Sequence, residues 1–261
     1  MMKTPRFLLK KKKDSVMQTI SVIMPVYNAE RYLPETLESF RSNLLPGVEL
    51  IAVNDGCTDR SMELIREAVP EARILTQNSG GPSKARNLGL QQSESEYVAF
   101  LDSDDLWPED TLSRMLSILR GSGGAIVQGK IETFADGEVA ENLKHRMRSA
   151  PFYGVNLGSF LIKREVVEKL NGFDESLRFG EDTDFWIRCW EEGLDKSTIS
   201  EVTLKYRLHS HNMSVEAASD AKMLLPLLKR HRDRMAGRKP QSSTSLSSYL
   251  GWRESQNKER T

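Results

Sequence analysis

Cysteine is scarce in this chain. Cys57 and Cys189 are the only two among 261 residues, which excludes a disulfide-stapled framework and a cysteine-based zinc site and fits a reducing cytoplasm. Long apolar runs are also missing, and no uninterrupted stretch approaches the roughly 20 residues that a membrane-spanning helix needs. The first 13 residues are basic but have neither a long apolar centre nor a small-residue cleavage site, so they do not read as a secretory signal. A charge of one sign is lacking too, since 37 Lys and Arg balance 37 Asp and Glu. That balance hides an uneven distribution. Residues 1–14 carry six Lys/Arg against one acid, and residues 229–261 carry nine against three. The body between them is therefore acidic, and an acidic body that handles an anionic substrate needs a cation to screen the repulsion. The basic ends read as solvated tails, the usual behaviour of charge runs, or as peripheral contacts with an anionic membrane surface. The hydrophobic share, 38%, is enough for a sizeable core.

The first half of the chain alternates short apolar runs with helical patterns. Residues 19–26 (TISVIMPV), 48–54 (VELIAVN), 72–76 and 97–101 (YVAFL) predict strands. Helices are predicted over 30–43, 58–68, from Pro82 or Ser83 through Leu90, and over 107–119. This alternation implies βαβ units and a parallel, doubly wound sheet. The second half is less regular. It reads as a strand over 124–133 entering a hairpin near Asp136-Gly137, a loop over 146–156, a strand over 158–163, and a short helix over 164–170. A helix through Glu192, a strand over 197–208 and a basic helix over 217–234 follow. Residues 241–248, nearly all Ser and Thr, predict disorder. The expected division is a basic arm (1–18), a catalytic body (19–215, with its first half to residue 106) and a basic, partly disordered tail (216–261).

In open α/β sheets, ligands bind beyond the carboxyl ends of the strands. Here those ends carry Val26-Tyr27-Asn28, then Asn54-Asp55-Gly56-Cys57-Thr58-Asp59, then Asp102-Ser103-Asp104-Asp105. Close carboxylates repel unless a cation screens them, and hard oxygen ligands suit Mg²⁺ or Mn²⁺ completed by phosphate and water; otherwise one Asp caps the next helix and the rest are solvated. Asp55 either accepts a hydrogen bond from a nucleobase imide or simply belongs to the turn. Arg86, at the start of a helix, is an anion site or an ordinary exposed cation. Glu181 and Asp182 open an amphipathic helix as capping acids or as a general base. His209 and His211 follow the last strand as a metal pair or as structural histidines.

Together these segments resemble the family 2 inverting glycosyltransferases of the GT-A fold. The resemblance rests on residues 21–28, 53–59, 78–89, 100–105, 172–175 and 180–184, in that order, within 19–215. It implies an α/β, Rossmann-like, mostly parallel central sheet flanked by helices, with a small acceptor-side subregion and a C-terminal helical tail. It implies a nucleotide-sugar donor, usually UDP-linked, and a glycan or glycolipid acceptor, with no nucleic acid partner. Pro25, Val26, Tyr27, Asn28, Asp55, Arg86, Asp102 and Ser103 would bind the nucleotide. Asp104 and His209 would hold Mn²⁺ or Mg²⁺, and Asp182, with Glu181 second, would be the base. Asn54 and Cys57 stand where the family often has Asp and Ser. The rival readings are a non-catalytic sugar-nucleotide-binding protein and a nucleotidyltransferase; the latter lacks its Gly-rich basic loop after the first strand.

Overall fold

A computed structural model describes residues 19–136, 144, 146–177, 179–210, 212 and 220–251. The basic arm, the turn at Gly137 and His211 lie outside them. Seven strands form one sheet in the order β3-β2-β1-β4-β6-β5-β7. They are β1 (Ile20–Val26), β2 (Val48–Asn54), β3 (Arg73–Thr76), β4 (Tyr97–Phe100), β5 (Ile126–Ala135), β6 (Phe160–Lys163) and β7 (Ser197–Leu208). The first four are mutually parallel; β6 runs antiparallel to β4 and β5, and β7 is parallel to β5. The sheet is therefore mostly parallel, as expected. Chain order reverses between β1 and β4, which makes their carboxyl ends the topological switch point where a ligand crevice opens.

The apolar runs of the strands are buried on both faces, and alternate residues feed two cores. Leu50 and Ala52 of β2 and Tyr97 and Ala99 of β4 pack with α1 (Leu33–Arg41), α2 (Ser61–Ala68) and α4 (Thr111–Ser122). Ile51, Val53, Val98 and Phe100 pack on the other face with α3 (Gly81–Gln92), α5 (Arg164–Lys169) and α6 (Glu181–Glu191). Pro25 is tolerated in the central strand β1 because its missing N–H faces the β4 side, where pairing has already ended at Ile23–Phe100. Gly89 lets α3 press onto β1: a Cβ there would stand 2.6 Å from Ile23. The helix predicted from residue 107 begins only at Thr111, because Pro108 and the left-handed Asp110 (φ 61°) intervene.

The C-terminal segment departs most from expectation. The basic helix α7 (Asp220–Arg234) docks on α6 rather than floating. Arg234 reaches the fully buried Asp184 (3.0 Å) and the buried Glu191 (2.8 Å), and His231 also meets Glu191 (2.7 Å). Leu227 fills the core between them. Residues 241–248, predicted to be disordered, cross the surface beside α6 and enter a short helix, α8 (Leu246–Tyr249). Trp190 donates to the Thr244 carbonyl and Tyr249 to the Leu194 carbonyl, with Tyr249 and Leu250 buried. Two apolar residues just past the polar run overcome its preference for water. Replacing Arg234 by Ala leaves Asp184 with Arg188 and Glu191 with His231, each buried acid losing one cationic partner. A loss of about 2–3 kcal/mol is expected, measurable by chemical denaturation.

Candidate functional site

The cleft is built from loops stitched together at the switch point. Asn28, with a positive φ of 46°, accepts the Thr58 N–H at 2.8 Å. Asp59 accepts the Glu30 N–H at 3.0 Å while Glu30 accepts that of Arg60 at 2.9 Å. Asn54 folds its own turn by accepting from Gly56 and Cys57, a task an amide oxygen performs as well as a carboxylate. Cys57 donates its thiol to the Val26 carbonyl. Tyr27 stands at the rim, 62% exposed. Val26 is otherwise: its side chain is fully buried in the core, so it contributes only a carbonyl to the loop. Asp55 is committed more heavily than expected. Its oxygens accept from the Gln77 amide (2.7 Å) and the backbone N–H groups of Gly80 (2.6 Å) and Gly81 (2.9 Å). It fastens the start of α3 and keeps acceptor capacity for one further donor.

Arg86 is the centre of the site. Its guanidinium is 5% exposed and donates to Asp102 and to Glu181, each at 2.7 Å. Burial opposes its charge, but the carboxylates of Asp102 and Glu181 outweigh this and raise its pKa further. Its Nε is buried without a partner among the described residues. One side chain thus ties the end of β4 to the start of α6, the two places where acids were expected to act. Asp182, beside Glu181, is pushed up to about 7 by desolvation and then by the Glu181 charge. Among the described residues it accepts only from Thr183.

The aspartate run divides by environment. Asp102 and Asp104 border the cleft, with about a third and a quarter of their side chains exposed. Asp105 is fully buried, accepts from the Arg207 N–H (2.9 Å) and from Asn156, and is raised well above the usual carboxylate range by desolvation and by its neighbours Asp104 and Asp102. It holds the loop. The Ser103 carbonyl is taken by the Thr36 hydroxyl. Asp104 Oδ2 lies 3.1 Å from His209 Nε2, and that ring stacks on Tyr32 with centroids 4.3 Å apart. Among the described residues no group of three or more His, Cys, Asp or Glu is arranged to hold a metal. Asp104 and His209 do offer one hard oxygen and one imidazole nitrogen. That pair fits Mn²⁺ or Mg²⁺, which takes few protein ligands and completes its shell with phosphate and water. The electrostatics point the same way, because the carboxylates of Asp102 and Glu181 outnumber Arg86.

Two supporting residues escaped the sequence reading. Arg207, 3% exposed, donates to the Asp104 carbonyl (2.7 Å) and to Glu35 (2.8 Å). Asn87 clamps the following loop, exchanging hydrogen bonds with the Phe173 N–H and carbonyl and donating to Glu175. Gly172 permits this: its φ is 68°, and a Cβ there would sit 2.4 Å from Asn87 Oδ1. Asn87 lay within a recognised segment, next to Arg86. Arg207 carried no local signal, since Asp104 and Glu35, which its guanidinium meets, lie over 100 residues away.

Residues 21–184 match Glycosyl transferase family 2, and the chain belongs to that family. It is 30% identical over 218 residues to the Bacillus subtilis protein EpsJ, an uncharacterized glycosyltransferase, covering 75% of this chain and 62% of that one. A Haemophilus influenzae uncharacterized glycosyltransferase is 39% identical over 107 residues, 40% of this chain and 43% of that one. The chain thus spans less than two thirds of these relatives. The structure of Staphylococcus aureus TarS 1–349 in complex with UDP-GlcNAc shares the fold, with a TM-score of 0.69 at 20% identity over 88% of this chain and 69% of that one. A Pyrobaculum calidifontis mannosyltransferase in complex with GDP-Man and Mn²⁺ does so with a TM-score of 0.63 at 20% identity, over 90% and 70%.

Lysine at position 86 keeps the charge but cannot fork between Asp102 and Glu181. Arg86→Lys is therefore expected to lower stability by about 1–3 kcal/mol, read by chemical denaturation.

Proposed function

We propose that the protein is an inverting glycosyltransferase that moves a sugar from a nucleotide-sugar donor, a UDP-sugar, to an acceptor hydroxyl during polysaccharide, glycolipid or other glycoconjugate synthesis. The observation that carries this reading is the Arg86 bridge, which sets a donor-side acid, Asp102, and the acids of α6 around one buried cation. Relatives include a minor teichoic acid biosynthesis protein and a putative teichuronic acid biosynthesis glycosyltransferase of Bacillus subtilis, which favours an acceptor in a cell-surface polymer. No helix among the described residues is long and apolar enough to cross a membrane. The proposed setting is cytoplasmic, with peripheral contact at the inner membrane face.

In this reading Tyr27, Asn28 and Asp55 hold the base, Asp102 meets the ribose or a metal-bound water, and Asp104 with His209 would hold Mn²⁺ or Mg²⁺. When bound, that cation supplies positive charge that offsets the diphosphate. Asp182 takes the proton from the acceptor hydroxyl as its oxygen attacks the anomeric carbon. The bond from that carbon to the diphosphate oxygen breaks on the opposite face, so the configuration inverts and the nucleoside diphosphate leaves with the bonding pair. Arg86 stabilises the charge that develops on it. Alignment and charge stabilisation are the protein's main contributions.

Asp182→Asn is expected to abolish transfer while UDP affinity stays within about twofold, a change of well under 1 kcal/mol. Near-normal turnover in that variant removes Asp182 as the base. Asp104→Ala is expected to do the opposite, weakening metal-dependent UDP binding in calorimetry. Because the Asp182 carboxyl is pushed up to about 7 and must be ionised to accept a proton, transfer should climb as pH rises through that value. A profile flat from pH 5 to about 9 contradicts the assignment.

A further inference from the structure

The helix α7 has two faces of opposite use. Leu227, Arg230, His231 and Arg234 turn inward, toward α6 and the loop at Asp174. Leu225, Leu228, Lys229 and Arg232 fall on the outer face at helical spacing. Leu225 is 67% exposed and Leu228 42%, and Lys229 and Arg232 are exposed beside them. A pocket of about 540 Å³ opens here, lined by Leu225, Pro226, Lys229, Arg230 and Asp233. Exposed Asp233 stands on the same side and pairs with Arg232 at 2.8 Å, so Lys229 supplies the uncompensated charge there. Exposed leucines flanked by cations on one helix face form the pattern that lies in a lipid interface, apolar groups in the acyl boundary and cations at anionic headgroups.

We propose that the outer face of α7 is a docking surface for an anionic lipid bilayer. Two leucines are too little apolar surface for a stable protein interface, which needs on the order of 1,000 Å². A bilayer needs only shallow insertion and cations to hold it. Docking would be transmitted rigidly. Arg230 ties α7 to Asp174 and Ser176, beside the loop that Asn87 clamps, and Arg234 ties it to α6, which carries Asp182. The bilayer would then hold the acceptor side of the cleft at a fixed height. The surface stands independently of sugar transfer, and its test needs no activity.

The full chain is sedimented with phosphatidylcholine vesicles, with and without phosphatidylglycerol. Binding is expected only to the anionic vesicles and should weaken as salt rises. Leu225→Ser combined with Leu228→Ser should lower partitioning about tenfold or more, as should Lys229→Glu combined with Arg232→Glu. All four positions are exposed, so thermal unfolding should be unchanged in both variants. Three results overturn the proposal: no binding of the wild-type chain, undiminished binding of the leucine variant, or a wild-type dimer in light scattering that the leucine substitutions dissociate.

Discussion

The guanidinium of Arg86 is buried between Asp102, at the end of β4, and Glu181, at the start of α6. A buried cation is tolerable only when paired, and removing either partner leaves a charge in a low-dielectric setting at a cost of about 3 kcal/mol or more. The two ends of the cleft are therefore fixed relative to one another before any ligand binds. Beside this contact lies Asp182, whose burial is the main influence on its chemistry. Glu181 is held in an ion pair, and its negative charge, added to desolvation, pushes Asp182 up to about 7. An acid poised there can both take a proton and be ionised near neutral pH. The bridge thus fixes the position of the proposed base, while burial and the Glu181 charge raise its proton affinity against the opposing pull of Arg86.

Around this bridge the structure accepts costs and offsets them locally. Asp105 is fully buried next to Asp104 and Asp102, and its raised pKa records that strain. The Arg207 N–H and the Asn156 amide meet it. Arg207 also grips the Asp104 carbonyl, so the loop that presents Asp104 is held from behind. On the opposite side, Asp184 and Glu191 would leave α6 with buried unpaired acids, but Arg188 and Arg234 neutralise them. The C-terminal helix is in this sense part of the cleft's foundation. Its basic composition, which reads as a solvated tail, serves a buried acidic face.

Much of the fold was legible because its signals are local. The apolar runs of β1, β2 and β4 stop at polar clusters, and the alternating pattern specifies parallel strands whose ends share a rim. Arg86 and Asp102 stood in recognisable segments, though their contact with each other and with Glu181 required the fold. What stayed hidden depends on distant partners or on local backbone. Arg207 looks like any strand arginine until Glu35 and Asp104 are brought to it. Residues 241–248 look disordered until Trp190 meets the Thr244 carbonyl and Tyr249, just beyond them, reaches that of Leu194. Val26 adjoins the rim, yet the strand's alternation turns its side chain into the core.

In the proposed reaction this cleft binds a nucleotide sugar and transfers its sugar moiety with the help of a divalent cation. The most direct measurement is a screen of UDP- and GDP-sugars with the full chain, following nucleoside diphosphate release and thermal stability with and without Mn²⁺. Metal-dependent release from one donor, with stabilisation by that donor and its free diphosphate, is the expected result. Stabilisation by a nucleotide sugar without release from any donor or acceptor preparation would contradict it and leave a binding protein.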